Sequence, residues 1–214
     1  MEALGQDYGY ILYRTQLTGP LRGNLNIEDL RDYAAVYVDK KLTGTIDRRL
    51  QQTSTLISVP NGTFSMDILV ENTGRINFGP HLTDGRSGIV GSVSIGDRKL
   101  TNWQMYSLPM KSSDDINHWK KAASASEVPG PAFHRGTFNL DKVADTYLDT
   151  SALTKGFVWV NGHNLGRTWN IGPQKSLFLP APWLRHGENE VVAFDYADLP
   201  ATSLRGVSDP IWTQ

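Results

Sequence analysis

Val158-Trp159-Val160-Asn161-Gly162-His163-Asn164-Leu165-Gly166-Arg167 restates Val36-Tyr37-Val38-Asp39-Lys40-Lys41-Leu42-Thr43-Gly44-Thr45 about 122 positions further along the chain. In both copies a β-branched/aromatic/β-branched triplet runs into an Asx-led turn, and the chain resumes with a leucine close to a glycine. Side chains alternate at period two along a strand, so Val158 and Val160 share one face and Trp159 takes the other. Asn161-Gly162 is the dipeptide that best tolerates positive φ in a two-residue hairpin turn. The likeness continues: Thr55-Leu56-Ile57-Ser58-Val59-Pro60 answers Ser176-Leu177-Phe178-Leu179-Pro180, and each is followed by a further apolar strand, 64–72 and 190–196. A period this long denotes a duplicated domain rather than a solenoid unit.

Working outward, the chain of 214 residues is long enough for two domains of ordinary size. Strand signals dominate, as short runs of Val, Ile, Tyr, Phe, Trp and Thr bounded by Gly, Pro, Asn and Asp. The first set is read at 8–17, 25–31, 34–39, 44–49, 55–59, 63–72, 89–95 and 103–108. The second is read at 132–139, 146–149, 155–161, 166–170, 175–179, 190–196 and 203–212, with a helical turn at Pro182-Trp183-Leu184-Arg185. Asn61-Gly62 is read as a turn like Asn161-Gly162, in preference to the glycosylation pattern that Asn61-Gly62-Thr63 also fits. Between Pro109 and Pro131 apolar density drops, and 114–123 can form one short helix capped by Ser113. The reading is therefore all-β: a first sandwich over 1–110, a linker over 111–130 and a second sandwich over 131–214. With no helical patterns of 10–15 residues between strands, antiparallel sandwiches are favoured over a parallel α/β sheet.

Charge and composition exclude several functions. A formal net charge of −1 with 20% charged residues offers no basic surplus to gather phosphate backbones or anionic lipid. Nucleic acid and membrane are thus not expected as partners, and no apolar run approaches the roughly 18 residues of a membrane span. With no cysteine there is no disulfide, thiolate nucleophile or thiolate metal site. The five histidines, His81, His118, His134, His163 and His186, have no metal-ligand spacing among them, so no metal site is assigned, with a structural Ca²⁺ held by loop Asp and backbone oxygens left open, and no cofactor is expected. Residues 1–7 lack a signal-peptide layout, and the chain enters a strand-like run almost at once, as a piece of a longer protein does.

Four blocks in order carry a more specific reading: Tyr8-Gly9-Tyr10-Ile11-Leu12-Tyr13-Arg14-Thr15, Val70-Glu71-Asn72-Thr73-Gly74-Arg75-Ile76-Asn77-Phe78-Gly79, Leu100-Thr101-Asn102-Trp103, and Lys155 through Gln174 around the Asn161-Gly162 turn. Together they resemble the C-terminal, non-catalytic β-domains of glycoside hydrolase family 35 β-galactosidases. The resemblance implies two tandem jelly-roll sandwiches of the galactose-binding-like kind. It also implies a catalytic (β/α)₈ barrel elsewhere in the parent enzyme, a galactoside as candidate ligand, a homodimer formed through the parent, and a secreted, periplasmic or lysosomal-type compartment. Retaining glycoside hydrolysis needs two carboxylates about 5 Å apart. No residue here matches the barrel motifs that supply them, so no catalytic residue is assigned.

Two sets of candidate site residues remain. Arg75, Asn77 and Phe78 lie in a glycine-bounded loop that the resemblance places facing the barrel, and packing at a domain interface is favoured over a wall of the substrate entrance. The family pattern has Tyr where this chain has Phe78, which removes one hydroxyl that could bond a sugar. Arg167, Trp169 and Asn170 combine an aromatic ring with an amide and a guanidinium, the parts of a sugar-binding surface. A structural role at the sandwich edge is nonetheless favoured for them. Trp103, Trp119, Trp159 and Trp212 are read as core or interface residues, and Trp183 as a cap over the core. Three functions are carried forward: an accessory region of a β-galactosidase, a free-standing carbohydrate-binding module, and a protein-interaction module. The first predicts an exposed apolar patch around 75–78 and 7–10.

Overall fold

A computed structural model describes residues 1–80, 82–113, 131–197 and 203–213. Two compact units divide the chain, Met1–Met110 and Lys111–Gln214. The expected helix at 114–123, and with it most of the expected linker, lies outside the described residues.

In the first unit the strands are β1 (Tyr10–Ile27), β2 (Leu30–Arg31), β3 (Tyr33–Val38), β4 (Lys41–Asp47), β5 (Ser54–Glu71), β6 (Gly88–Ile89), β7 (Val93–Ile95), β8 (Arg98–Lys99) and β9 (Gln104–Leu108). β1 and β5 pair antiparallel along almost their whole 18 residues. Their partners change midway. The N-terminal half of β1 is flanked by β9 and by the C-terminal half of β5, which in turn pairs with β3 and then β4. The C-terminal half of β1 pairs instead with β7, which carries β8. Ile11, Leu17, Ile68 and Val70 from the first half and Leu25, Ile27, Ile57 and Ile95 from the second belong to one buried cluster. The long β1–β5 pair thus contributes to both layers of a single sandwich.

This corrects four readings. The runs at 8–17 and 25–31 are largely one strand, as are 55–59 and 63–72, while 89–95 is split between β6 and β7. Asn61-Gly62 makes no hairpin turn; it lies within β5, where Gly19 faces Gly62 and Leu21 faces Val59. Two steps on β1 match three on β5, so the extra residue forms a bulge and not a reversal. The reason is tertiary: a hairpin requires its flanking strands to pair with each other, and here both flanks pair with β1. Gly19 is required by this contact, since a Cβ there would stand 2.1 Å from the Pro60 carbonyl oxygen.

The second unit repeats the plan with the long strands cut. Its strands are β10 (Ala132–Leu140), β11 (Thr146–Asp149), β12 (Lys155–Val160), β13 (His163–Trp169), β14 (Ser176–Leu179), β15 (Gly187–Asp195) and β16 (Arg205–Val207). One sheet runs β10-β15-β12-β13, the other β14-β11-β16. The order β4-β3-β5-β1 thereby returns as β13-β12-β15-β10, and β10 with β11 stands for the two halves of β1. Leu148, Leu177 and Leu179 from the smaller sheet meet Val158, Val160 and Ala193 from the larger one in one core. The run expected at 203–212 shortens to β16, with a lone bridge from Gln174 to Trp212. Residues 181–183 form a 3-10 turn where a helical turn is expected.

The echoed segments are equivalent hairpins down to an irregularity. Asp39 and Lys40 (φ 46° and 70°) turn β3 into β4, and Asn161 and Gly162 (φ 49° and 84°) turn β12 into β13. In each hairpin the register slips at the same place, Val36 facing Gly44 and Val158 facing Gly166. Trp159, opposite the valines, packs on the other face of its sheet with Phe157 and Phe133, both at ring separations of 6.1 Å.

Candidate functional site

The loop leaving β5 begins with Asn72, buried, whose side-chain oxygen accepts from the Gly74 amide at 3.0 Å and whose amide donates to the Asp7 carbonyl at 3.0 Å. The two ends of the loop are then tied down, largely by charge. Thr73 donates to Asp32 at 2.7 Å, and Arg31 holds Asp84 at 3.1 Å and Asp29 at 2.8 Å. Arg75 donates to Glu2, to the Gly85 carbonyl and to Ser87. Burial alone would push the Glu2 carboxyl up, but Arg75 and the Ser87 amide outweigh it and hold its pKa at about 2. Hydrogen bonds from Arg86 and Arg31 likewise keep Asp84 below the usual carboxylate range. Arg75 is therefore a tether of the loop.

Asn77 and Phe78 are held out on that tethered segment, with Phe78 88% exposed. Leu82 on the same loop and Leu4 in the turn that Glu2 opens are about half exposed. The expected apolar patch at 7–10 is not there: Tyr10 is buried, because it pairs with both Glu71 and Leu108 in the middle of the sheet.

Arg167 and Trp169 share one side of β13, and Asn170 follows in the turn. The buried Lys155 lies across the strand from Trp169 and sets its ammonium 3.9 Å from the ring centroid, a cation–π contact that covers one ring face. Asn170 is used by its backbone, donating to the Thr154 carbonyl at 2.7 Å and accepting from Lys175. Nearby, burial pushes Asp195 up to about 6, against hydrogen bonds from the amides of Ala197, Thr154 and Lys155.

Two features escape a reading of the sequence. Asn161 is a clamp as well as a turn former: its amide donates to the Trp183 carbonyl at 2.7 Å and to Asn189 at 2.8 Å, and its oxygen accepts from the Glu190 amide at 3.0 Å. Trp183 then stacks on His163, 4.7 Å between centroids and 12° between planes. The second is a cleft of about 490 Å³ in the first unit, whose lining includes Trp103, Met105, Glu28, Ser92 and Lys99. Among the described residues no group of three His, Asp or Glu side chains converges as metal ligands would, and no helix is long and apolar enough to cross a membrane.

The fold defines a class, that of tandem all-β sandwiches. Residues 1–109 match the family described as beta-galactosidase, first all-beta domain, and residues 131–189 the beta-galactosidase, galactose-binding domain. A beta-galactosidase of Xanthomonas manihotis is 53% identical over 84% of this chain and 29% of its own length. The human beta-galactosidase-1-like protein 2 is 40% identical over 89% of this chain and 30% of its length, and beta-galactosidase 1 of Dictyostelium discoideum 34% over 91% and 32%. The chain belongs to the β-galactosidase family and comprises its non-catalytic β-domains. It spans about a third of the length of the curated relatives it matches. Among solved structures, a Pleurotus ostreatus lectin in complex with GalNAc aligns over 90% of this chain and 69% of its own, at 16% identity and a TM-score of 0.35. So loose a likeness bears no weight here.

Proposed function

We propose that this chain is the accessory region of a β-galactosidase: it supports the catalytic (β/α)₈ barrel of the parent enzyme, and its 73–87 loop walls the substrate entrance. The observation that carries this is Phe78, a large apolar side chain 88% exposed on a segment fixed by ion pairs. Burying a phenylalanine is worth about 1.5–3 kcal/mol, and a preorganised aromatic is the usual anchor of an interface. Arg75 fixes the loop, Asn77 and Phe78 face outward, and hydrolysis of terminal β-galactosides belongs to the barrel. Arg167, Trp169 and Asn170 are read as edge structure, because Lys155 already occupies a face of the Trp169 ring.

Phe78→Ala in the parent enzyme tests the assignment. A lowered melting temperature at constant kcat/KM is the result expected of a domain contact. A KM for an aryl β-galactoside raised about tenfold at unchanged melting temperature is expected of an entrance wall, where a contact of over 1 kcal/mol is lost. A variant that melts and turns over as the parent does contradicts both roles.

A further inference from the structure

The cleft of the first unit has no part in the docking loop. Its lining includes Tyr13 of β1, Val93 of β7 and Met105 of β9. Register places Met105 directly beside Tyr13, hence on the core-facing side of the sheet, yet Met105 is 54% exposed. Tyr13, Val93 and Leu100 of the core line the cleft, and Trp103 is a wall whose geometry is set in advance. Its indole donates to the Leu100 carbonyl at 3.3 Å and its ring stands edge-on to Tyr13, 6.5 Å apart at 89°. A wall already fixed loses little freedom on binding.

The polar part of the lining carries one charge of each sign, on Glu28 and on Lys99. One oxygen of Glu28 accepts from the Ser92 amide at 3.2 Å and its hydroxyl at 2.9 Å, which aims the carboxylate and leaves the second oxygen for a further donor. The Ser92 bonds also lower the Glu28 pKa, so the acceptor stays ionised near neutrality. Lys99, close enough to act on Glu28 electrostatically, supplies donors.

We propose that this cleft binds a short neutral saccharide, with a C–H face against Trp103 and Met105 and hydroxyls toward Glu28 and Lys99. The volume of about 490 Å³ lies within the range of small-ligand pockets and suits two or three sugar rings. Balanced charge on the rim disfavours an ionic ligand. An apolar side chain from another domain would displace water from the carboxylate and the ammonium and offer neither a new hydrogen bond, which carries a penalty. A saccharide satisfies both groups while covering the apolar wall.

The test is titration of the 214-residue chain with lactose, cellobiose and maltose, followed by tryptophan fluorescence and ligand-observed NMR. Saturable, roughly millimolar binding of at least one sugar is expected. Trp103→Ala and Glu28→Gln should each weaken it about tenfold, whereas Trp212→Ala, in the second unit, should leave it unchanged. If circular dichroism shows that Trp103→Ala does not fold, Trp103→Phe and Glu28→Gln decide. Absence of saturable binding, or equal affinity in the Trp103 and Glu28 variants, overturns the proposal. So does a Met105→Glu variant of the parent enzyme that loosens its domains while no sugar binds, since the cleft is then a domain contact.

Discussion

At position 195 a carboxylate terminates β15 and gathers the amides of Thr154, Lys155 and Ala197 at 2.6, 3.3 and 3.0 Å. Those bonds favour the charged form, but burial works the other way and wins, so the folded pKa is about 6 against an ordinary 3.8. Between these values the folded state holds the proton more tightly than the unfolded chain. The stabilisation from Asp195 is therefore complete below about pH 4 and is lost as pH rises through about 6, by on the order of 3 kcal/mol. His134, whose pKa burial lowers, contributes a slope of the opposite sign. Comparison with Asp195→Asn cancels that background: the variant loses ground overall through a missing acceptor, and its deficit should shrink from pH 4 to pH 6.5. A deficit constant with pH, measured by thermal melts, rules this out. None of this is legible along the chain, where Asp195 is one of 22 acidic residues, because burial is a property of the packed sheet. Asn161 divides similarly: its turn is read from Asn-Gly, but its clamp on Trp183 and Asn189 needs a loop about 20 residues away.

For the strands and hairpins, what could be read depended on range. The two echoed hairpins were legible because the turn dipeptide, the alternation and the glycine after it all lie within ten residues. Asn61-Gly62 carries the same dipeptide and is a bulge, because β1 supplies a continuous partner that a local pattern does not show. The close approach at Gly19 follows from that pairing. Gly19→Ala should destabilise the first unit by about 2 kcal/mol or more, since the added Cβ meets backbone that cannot rotate away. The matching observation is faster amide exchange along β1 and β5 than in the parent chain. Unchanged protection there means that the bulge accommodates a side chain and that the reading of β5 is mistaken.

Across the whole molecule, two sandwiches built on one plan differ in what they present. The first fuses its strands into the long β1–β5 pair and carries both the tethered loop with Phe78 and the cleft beside Trp103. The second keeps the strands separate, and its echoed hairpin is committed to internal structure through Asn161 and Trp159. Duplication was visible in the sequence, and the four blocks in order carried the resemblance to the β-galactosidase family that the family matches show. The cleft was not, because Glu28, Ser92 and Trp103 come together only when β1, β7 and β9 assemble. The central claim is that this chain serves a β-galactosidase without carrying its chemistry. The most direct measurement is hydrolysis of an aryl β-galactoside by the purified 214-residue chain. The account predicts no rate above the uncatalysed background. Turnover that survives purification and is abolished by substituting one acidic residue of this chain contradicts it.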